Sequence, residues 1–404
     1  MRKHLAIVCG VYYPEPSPTG LCAKRFAELL ADKFDIDIIC ISMDGKDTCA
    51  QESFVEKSDV EIKIYAVGCK RIEIEKKAHG AIRKVIHNIG GIQIKTFILG
   101  NLSWYRKKAL RKLEKINTER KLDIVFTICS PMAAHFAGAD MKKRHPEIKH
   151  CGYTVDPYSS RERIRPFYLN YAQLVKYEKK VFSQMDGIFL SEEIIVNRPD
   201  LLNGLSNYSD LPYMLPEPEI NSTTEKFYQT SGINCVYAGR FYEDIRNPEY
   251  MLQLFSRLEK HNINLHLFCI GCEDIVKKYD SQFSNIIVHK SVSHEMMGAV
   301  YDQADVLVGI GNTTSEFFPS KTFEYIATKK PIVFINHNDM KNDILEHYPI
   351  AIQVSDSDDI NVAIQRLEKF CIKSMEKSVS MDEIKRIYYK HTKENITMVL
   401  KEML

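Results

Sequence analysis

Two glutamates with seven residues between them, Glu316 and Glu324, flank a strand-to-helix turn in the stretch SEFFPSKTFEYIATKKPIVFIN, residues 315–336. The apolar run VLVGIG before it reads as a strand ending near Gly311, followed by a loop to Pro319 and a helix from Ser320 to Thr328. Glu316 then falls in the loop, and Glu324 falls a turn into the helix. The unpaired N–H groups at the helix start, around Ser320 and Lys321, form an anion site to which the Lys321 ammonium adds charge. A carboxylate one turn further on suits two neighbouring hydroxyls, as a ribose presents them, and a carboxylate in the loop suits hydroxyls beyond the phosphates. The set reads as a site for a nucleotide sugar. The plainer alternative is a capped helix, with Ser320 as N-cap and Glu324 complementing the helix dipole.

A second group bears on that choice. In CVYAGRFYEDIRNPEYMLQLF a strand ends at Gly239, Arg240 and Arg246 lie in the next loop, and Asn247-Pro248 caps and opens a helix with Met251, Leu252, Phe255 and Leu258 on its apolar face. Two guanidiniums beside the carboxyl end of a strand can clamp a diphosphate bidentately, which lysine cannot do. The competing reading is a surface pair answering Glu243 and Asp244. Taken with the first site, the arginines predict a diphosphate between Arg240, Arg246 and the helix at Ser320.

The elements that must position these groups are legible along the whole chain. Runs of β-type residues alternate with helical patterns: LAIVCGV, DIDIICIS, IKIYAV, DIVFTI, HCGYTV and GIFLS in the first half, then CVYAG, NLHLFCIG, IIVHK, VLVGIG, PIVFIN and IAIQV. Near-continuous apolar strands separated by helices imply parallel sheets covered on both faces. The fold class is α/β, two tandem Rossmann-like domains. Residues 1–205 form the first, 206–230 a linker rich in Pro, Ser, Asn and Thr, and 231–380 the second. The helical segment 381–404 either caps its own domain or crosses back to the first. The turn YYPEPSPTG is long for a strand-to-helix connection and lies at the carboxyl end of the first strand, where open α/β sheets bind ligands. Thr19 is the expected N-cap of the helix that follows.

Composition narrows the function classes. The chain has 404 residues, 45% apolar and 27% charged, so disorder and fibrous classes are excluded. A net charge of +2 argues against a dedicated nucleic-acid binder. The eleven cysteines are scattered, several inside strand-like runs, which points to a reducing, cytoplasmic compartment. Cys269 and Cys272 form a CxxC with no second ligand pair and read as a strand end and its turn. Asp35–Asp37, an Asp-x-Asp, reads as strand, and Asp356–Asp358 as helix capping, so no metal site is expected. The N-terminal apolar run is short and reads as a first strand. No apolar segment approaches the roughly 18 residues that a spanning helix needs.

These residues resemble the GT-B glycosyltransferases, and within them the retaining enzymes of family 4. EFFPSKTFEYIATKKPIV is similar to their E-x7-E motif and AGRFYEDIRNP to their G-R-x(n)-K/R segment, with Arg246 where lysine is usual. YYPEPSPTG, SWYRKKALRKL, DIVFTICSPMAAHFAG, VDPY and VSHEMMGAVYDQADVLVGI extend the likeness over most of the chain. The resemblance implies an interdomain cleft, with Glu324 on the ribose, Glu316 on the donor sugar near the reacting carbon, and Arg240 with Arg246 on the diphosphate. It also implies that His135 approaches the donor sugar and that Gly20 serves the N-terminal loop, where Thr19 replaces the other glycine of a pair. Retention in this family proceeds by same-face displacement, a donor phosphate oxygen taking the acceptor proton, so neither a protein nucleophile nor a metal or other cofactor is required.

From Lys70 to Lys112 there are twelve Lys or Arg against two acids, interleaved with apolar residues and the chain's only tryptophan, Trp104. Such a stretch can rest on an anionic leaflet, or it is a solvated face over ordinary helices. On the membrane reading the acceptor is a saccharide linked to a lipid such as a polyprenyl carrier, met at the cytoplasmic face by a peripheral enzyme of surface-polysaccharide synthesis. Two other functions fit a pair of Rossmann-like domains: a nicotinamide-dependent oxidoreductase, for which GIGNTT at 309–314 is the nearest phosphate-binding match, and a nucleotide-sugar epimerase.

Overall fold

Each of the twelve apolar runs above forms a strand. The computed structural model describes all residues except 1, 13–16, 55, 56, 81, 83, 84, 86–102, 161–169, 218–224, 291, 314–320, 339 and 376. They divide into two units, Met1–Pro212 with Ile396–Leu404, and Tyr213–Asn395.

The first unit carries β1 (Lys3–Val8), β2 (Phe34–Ile41), β3 (Thr48–Phe54), β4 (Lys57–Val67), β5 (Ile124–Cys129), β6 (Lys149–Thr154), β7 (Gly187–Leu190) and β8 (Tyr208–Asp210). Their order is β3-β4-β2-β1-β5-β6-β7-β8. All neighbours are parallel except β3, which runs antiparallel to β4 at the edge. Strands β3 and β8 are absent from the sequence reading for a physical reason. TCAQESF and YSD lack the apolar run of a strand buried on both faces, and each is an outermost strand with one neighbour to pair with. Strand β8 also lies inside the segment 206–230 expected to be a linker, and Leu211 and Leu215 beyond it are buried.

The central strands are covered on both faces. From β1, Ala6 and Val8 pack with Tyr105, Ala109, Leu113, Ala134 and Ala137 of the helices Ser103–Glu119 and Met132–Arg144. At the far end of the chain, Lys401 pairs with Asp32 at 3.0 Å and Met403 meets Gly187, so the end of the last helix completes this unit.

Two helix starts differ from the expected caps. The N-cap of the first helix, Pro18–Leu30, is Ser17, whose Oγ accepts from the Gly20 amide at 3.2 Å. Proline is favoured at the first helical position, which puts the cap one residue ahead of Pro18. The helix Ile360–Ser374 is capped by Asp359, one residue beyond Asp356–Asp358. Asp356 instead accepts from the Asn338 amide and faces His337 Nδ1 at 2.7 Å, while Asp358 meets the Ser355 amide and Arg366.

The second unit carries β9 (Ile233–Arg240), β10 (Ile263–Ile270), β11 (Ile286–Val288), β12 (Val306–Ile310), β13 (Ile332–Asn336) and β14 (Ala351–Ser355). All are parallel, in the order β11-β10-β9-β12-β13-β14. This is the doubly wound arrangement whose direction reverses between its first and fourth strands, here β9 and β12. Successive residues of β9 serve opposite faces: Cys235 and Tyr237 pack with Met251, Leu252 and Phe255, and Val236 and Ala238 with Phe323 and Ile326.

Buried histidines make the first unit sensitive to acid. His135 and His150 are both fully buried, and burial lowers each pKa to about 3 from 6.5. The folded unit binds fewer protons than the unfolded chain between those values, so stability is complete above pH 6.5 and falls as pH drops toward 3. The slope is about 1.4 kcal/mol per pH unit for each histidine. Urea melts followed by Trp104 fluorescence, which reports this unit, are expected to lose stability between pH 6.5 and 5. His135→Gln is expected to remove about one proton's share of that slope; a slope identical to wild type overturns the assignment.

Candidate active site

Beyond the Leu307–Val236 pair β9 and β12 part, and their loops meet across the gap. Thr313 donates through its amide to Ile245 O at 2.8 Å and through its hydroxyl to Asp244 O at 2.9 Å. Tyr242 and Arg246 exchange both backbone hydrogen bonds, which folds the 240–247 loop back on itself. Arg246 donates from Nε and Nη2 to Asn312 Oδ1, at 3.1 and 2.8 Å, and from Nη1 to Arg240 O at 3.5 Å. Among the described residues, these partners orient the guanidinium through neutral oxygens.

Lys321 opens the helix Lys321–Ala327, within which lies Glu324. The Lys321 ammonium donates to Tyr301 Oη at 3.1 Å and stands 3.7 Å from the Glu324 carboxylate. Burial works to lower the Lys321 pKa, but the Glu324 charge and the phenols of Tyr325 and Tyr237 outweigh it and the net shift is upward, so the side chain is a cation throughout the neutral range. Tyr237, stacked on Phe241 with centroids 4.5 Å apart, ties the two loops together electrostatically. Burial pushes its phenol up to about 12, while Arg246 and Lys321 pull the other way.

Arg246 and Lys321 thus both act on the Tyr237 phenol at the carboxyl edge of the second sheet, and Glu324 lies 3.7 Å from the Lys321 ammonium. Arg240 ends β9 with an exposed side chain, and its charge acts on Glu273 after β10. Glu316 and Ser320 lie outside the described residues. Three members of the site escape sequence reasoning: Tyr237, Asn312 and Tyr301. Tyr237 and Tyr301 look like core residues of a strand and a helix, and Asn312 like a loop residue. The one available signal is position, since Asn312 follows β12 directly at the edge where ligands bind.

In the first unit, Gly20 and Thr19 stand at the corresponding edge. Thr19 Oγ1 donates to Ser130 O after β5 at 3.3 Å. A Cβ on Gly20 would lie 2.2 Å from the Val11 carbonyl oxygen, so the helix start approaches the loop more closely than a side chain permits. His135 corrects the expectation that it meets a sugar. It lies in the first turn of Met132–Arg144 with 0% exposure, its Nδ1 2.7 Å from Thr127 Oγ1 and its Nε2 2.8 Å from Thr154 Oγ1. Both ring nitrogens are taken, and the ring is a neutral strut between β5 and β6.

Of the remaining candidates, Asp37 lies in β2 and pairs with His4 at 2.9 Å, and Asp35 with Arg120 at 2.5 Å. Cys269 and Cys272 are free thiols at the end of β10 and in the following turn. Among the described residues of the basic stretch, Arg106 forms a bidentate pair with Asp140 at 2.6 Å, Lys108 pairs with Asp47 at 2.9 Å, Lys77 with Glu73 at 2.8 Å, and Lys76 with Asp44. No helix among the described residues is long and apolar enough to cross a membrane.

Residues 232–369, the part that holds this site, match the family described as glycosyl transferases group 1. No curated protein sequence matches the chain. Solved structures match over its whole length. Sucrose-phosphate synthase from Thermosynechococcus elongatus is 11% identical with a TM-score of 0.68, over 100% of this chain and 98% of that one. A UDP-forming α,α-trehalose-phosphate synthase from Burkholderia xenovorans, in complex with glucose-6-phosphate, is 9% identical with a TM-score of 0.60, over 99% and 100%. HepE of Anabaena, in complex with UDP, is 11% identical with a TM-score of 0.59, over 99% and 98%. These likenesses establish the fold as GT-B. The family match over residues 232–369 gives the second unit as a glycosyl transferase domain.

Gly20→Ala is expected to destabilise the first unit by about 1–3 kcal/mol through the clash with Val11. Denaturant unfolding followed by Trp104 fluorescence measures it; unchanged stability would mean that the helix start can retreat from the loop.

Proposed function

We propose that the enzyme transfers a sugar from a nucleoside-diphosphate sugar to a saccharide with retention, as a family 4-like glycosyltransferase. The observation that carries this reading is that two cations, Arg246 and Lys321, act on one phenol, Tyr237, where β9 and β12 part, with Glu324 3.7 Å from the Lys321 ammonium. Two cations answer a diphosphate and a carboxylate answers paired ribose hydroxyls. The UDP bound to HepE and the glucose-6-phosphate bound to trehalose-phosphate synthase support the same two substrate classes, a nucleotide donor and a saccharide acceptor.

Breaking the anomeric C–O bond leaves negative charge on the diphosphate, and Arg246 and Lys321 are assigned its stabilisation, with Arg240 at the outer rim. Glu324 holds the ribose, Glu316 contacts the donor sugar, and Ser320 offers its amide to the phosphate. Gly20 keeps the first unit's loop close to its sheet at the acceptor side. The leaving phosphate oxygen takes the acceptor proton on the same face, so the reaction requires neither a protein nucleophile nor a metal. The acceptor is assigned as a lipid-linked saccharide of surface-polysaccharide synthesis, reached from the cytoplasm. Supporting that finer assignment are the basic Lys70–Lys112 stretch and the exposed apolar residues Ile74, Ile82 and Val85 within it.

Calorimetric titration with UDP, GDP, ADP, dTDP and NAD tests the reading. One diphosphate is expected to bind, with affinity falling about tenfold or more in Glu324→Ala and in Arg246→Ala. Binding of NAD with no diphosphate would overturn it.

A further inference from the structure

Lys321 and Glu324 present a difficulty that the rest of the site must solve. They are neighbours at i and i+3 on one helix, of opposite charge, paired at 3.7 Å and free to close further into a hydrogen-bonded pair. A closed pair would cancel the cation needed at the phosphates and occupy the carboxylate needed at the ribose. A lysine ammonium is a compact charge on a flexible stem, with no preferred direction of its own, so something else must choose its position.

We propose that Tyr301 is a positioning residue that holds the Lys321 ammonium away from Glu324 and toward the phosphates, an inference that rests on the nucleotide-sugar reading of this site. Tyr301 comes from a different element, the helix His294–Gln303, and is itself 5% exposed, so its hydroxyl is a fixed point. That hydroxyl accepts from Lys321 Nζ at 3.1 Å. With one donor directed at the phenol, the ammonium keeps an ion pair with Glu324 at 3.7 Å, longer than a normal hydrogen bond. The Lys321 side chain stays 40% exposed and that of Glu324 29%, so both remain open to a ligand.

The tyrosine is held in turn. Its ring packs edge-on against Tyr325 at 5.4 Å between centroids. The Tyr325 hydroxyl is anchored to the backbone of β9, accepting from the Ala238 amide at 3.3 Å and donating to the Ala238 carbonyl at 3.4 Å. Three elements thus converge to fix one cation: β9, the Tyr301 helix and the Lys321 helix. Removing the phenol oxygen leaves this packing intact and frees the ammonium to fall onto Glu324.

The test is a double-mutant cycle on binding of whichever of UDP, GDP, ADP and dTDP the wild-type protein takes. Tyr301→Phe is expected to weaken that nucleoside diphosphate about tenfold, Lys321→Met by at least as much, and the double variant no more than Lys321→Met alone. A phenol acting only in the packing of its helix gives additive losses, and additivity overturns the proposal, as does an unchanged affinity in Tyr301→Phe. If Tyr301→Phe fails to fold, 3-fluorotyrosine at position 301 keeps the ring and weakens the oxygen as acceptor. Weaker binding with Lys321 present and no change in the Lys321→Met background supports the proposal, and any other pattern overturns it. Absence of diphosphate binding by the wild-type protein is a different result, which defeats the nucleotide-sugar reading itself.

Discussion

The second unit depends on the short parallel pairing of β9 with β12. Because the chain winds outward in opposite directions from these two strands, the helices that follow them cover opposite faces of the sheet: Met251, Leu252 and Phe255 on one, Phe323 and Ile326 on the other. The carboxyl ends between them are left uncovered, and the backbone groups there must find partners without extending the sheet. They find them in each other. Thr313 closes on Ile245 and Asp244, and Arg246 closes on Asn312 and the Arg240 carbonyl. Hydrogen bonding that is obligatory for the fold thus delivers a guanidinium to the place where a ligand can reach it.

The choice of partner separates this arginine from the structural ones. Arg106 and Arg198 are matched with carboxylates, Asp140 and Asp200, and their charges are spent within the fold. Among the described residues, Arg246 donates to the Asn312 amide oxygen and the Arg240 carbonyl and also meets the Tyr237 phenol, all neutral groups that fix its direction. Lys321 instead combines a phenol oxygen at 3.1 Å with an ion pair to Glu324 at 3.7 Å. A guanidinium held by neutral acceptors costs stability in the empty protein, and it persists where a bound anion recovers that cost.

The first unit solves its interior differently. His135, Thr127, His150 and Thr154 form a buried polar network across β5, β6 and the helix between them, with the histidines kept neutral by burial. Gly138 and Gly152 are moulded to it: a Cβ on the first would lie 2.3 Å from His150 Nε2 and on the second 3.1 Å from His135 Cε1. A histidine near the start of a helix can face solvent or the sheet. Here the sheet face wins because a threonine hydroxyl waits at each ring nitrogen.

The linear chain determined the α/β class, twelve of the fourteen strands described, and the identity of Arg240, Arg246, Lys321 and Glu324 as groups of interest. Those features rest on local chemistry: apolar runs long enough for strands buried on both faces, and charged residues placed just after them. The chain was silent on β3 and β8, whose polar edges carry no such run, and it misplaced two helix caps by one or two residues. Only the tertiary structure decided that His135 is a strut, that Arg246 leans on Asn312, and that the Tyr301 hydroxyl accepts from Lys321. Each of those pairings joins residues far apart in sequence through the packing of separate strands and helices, and no periodicity or spacing along the chain encodes which side chain will face which.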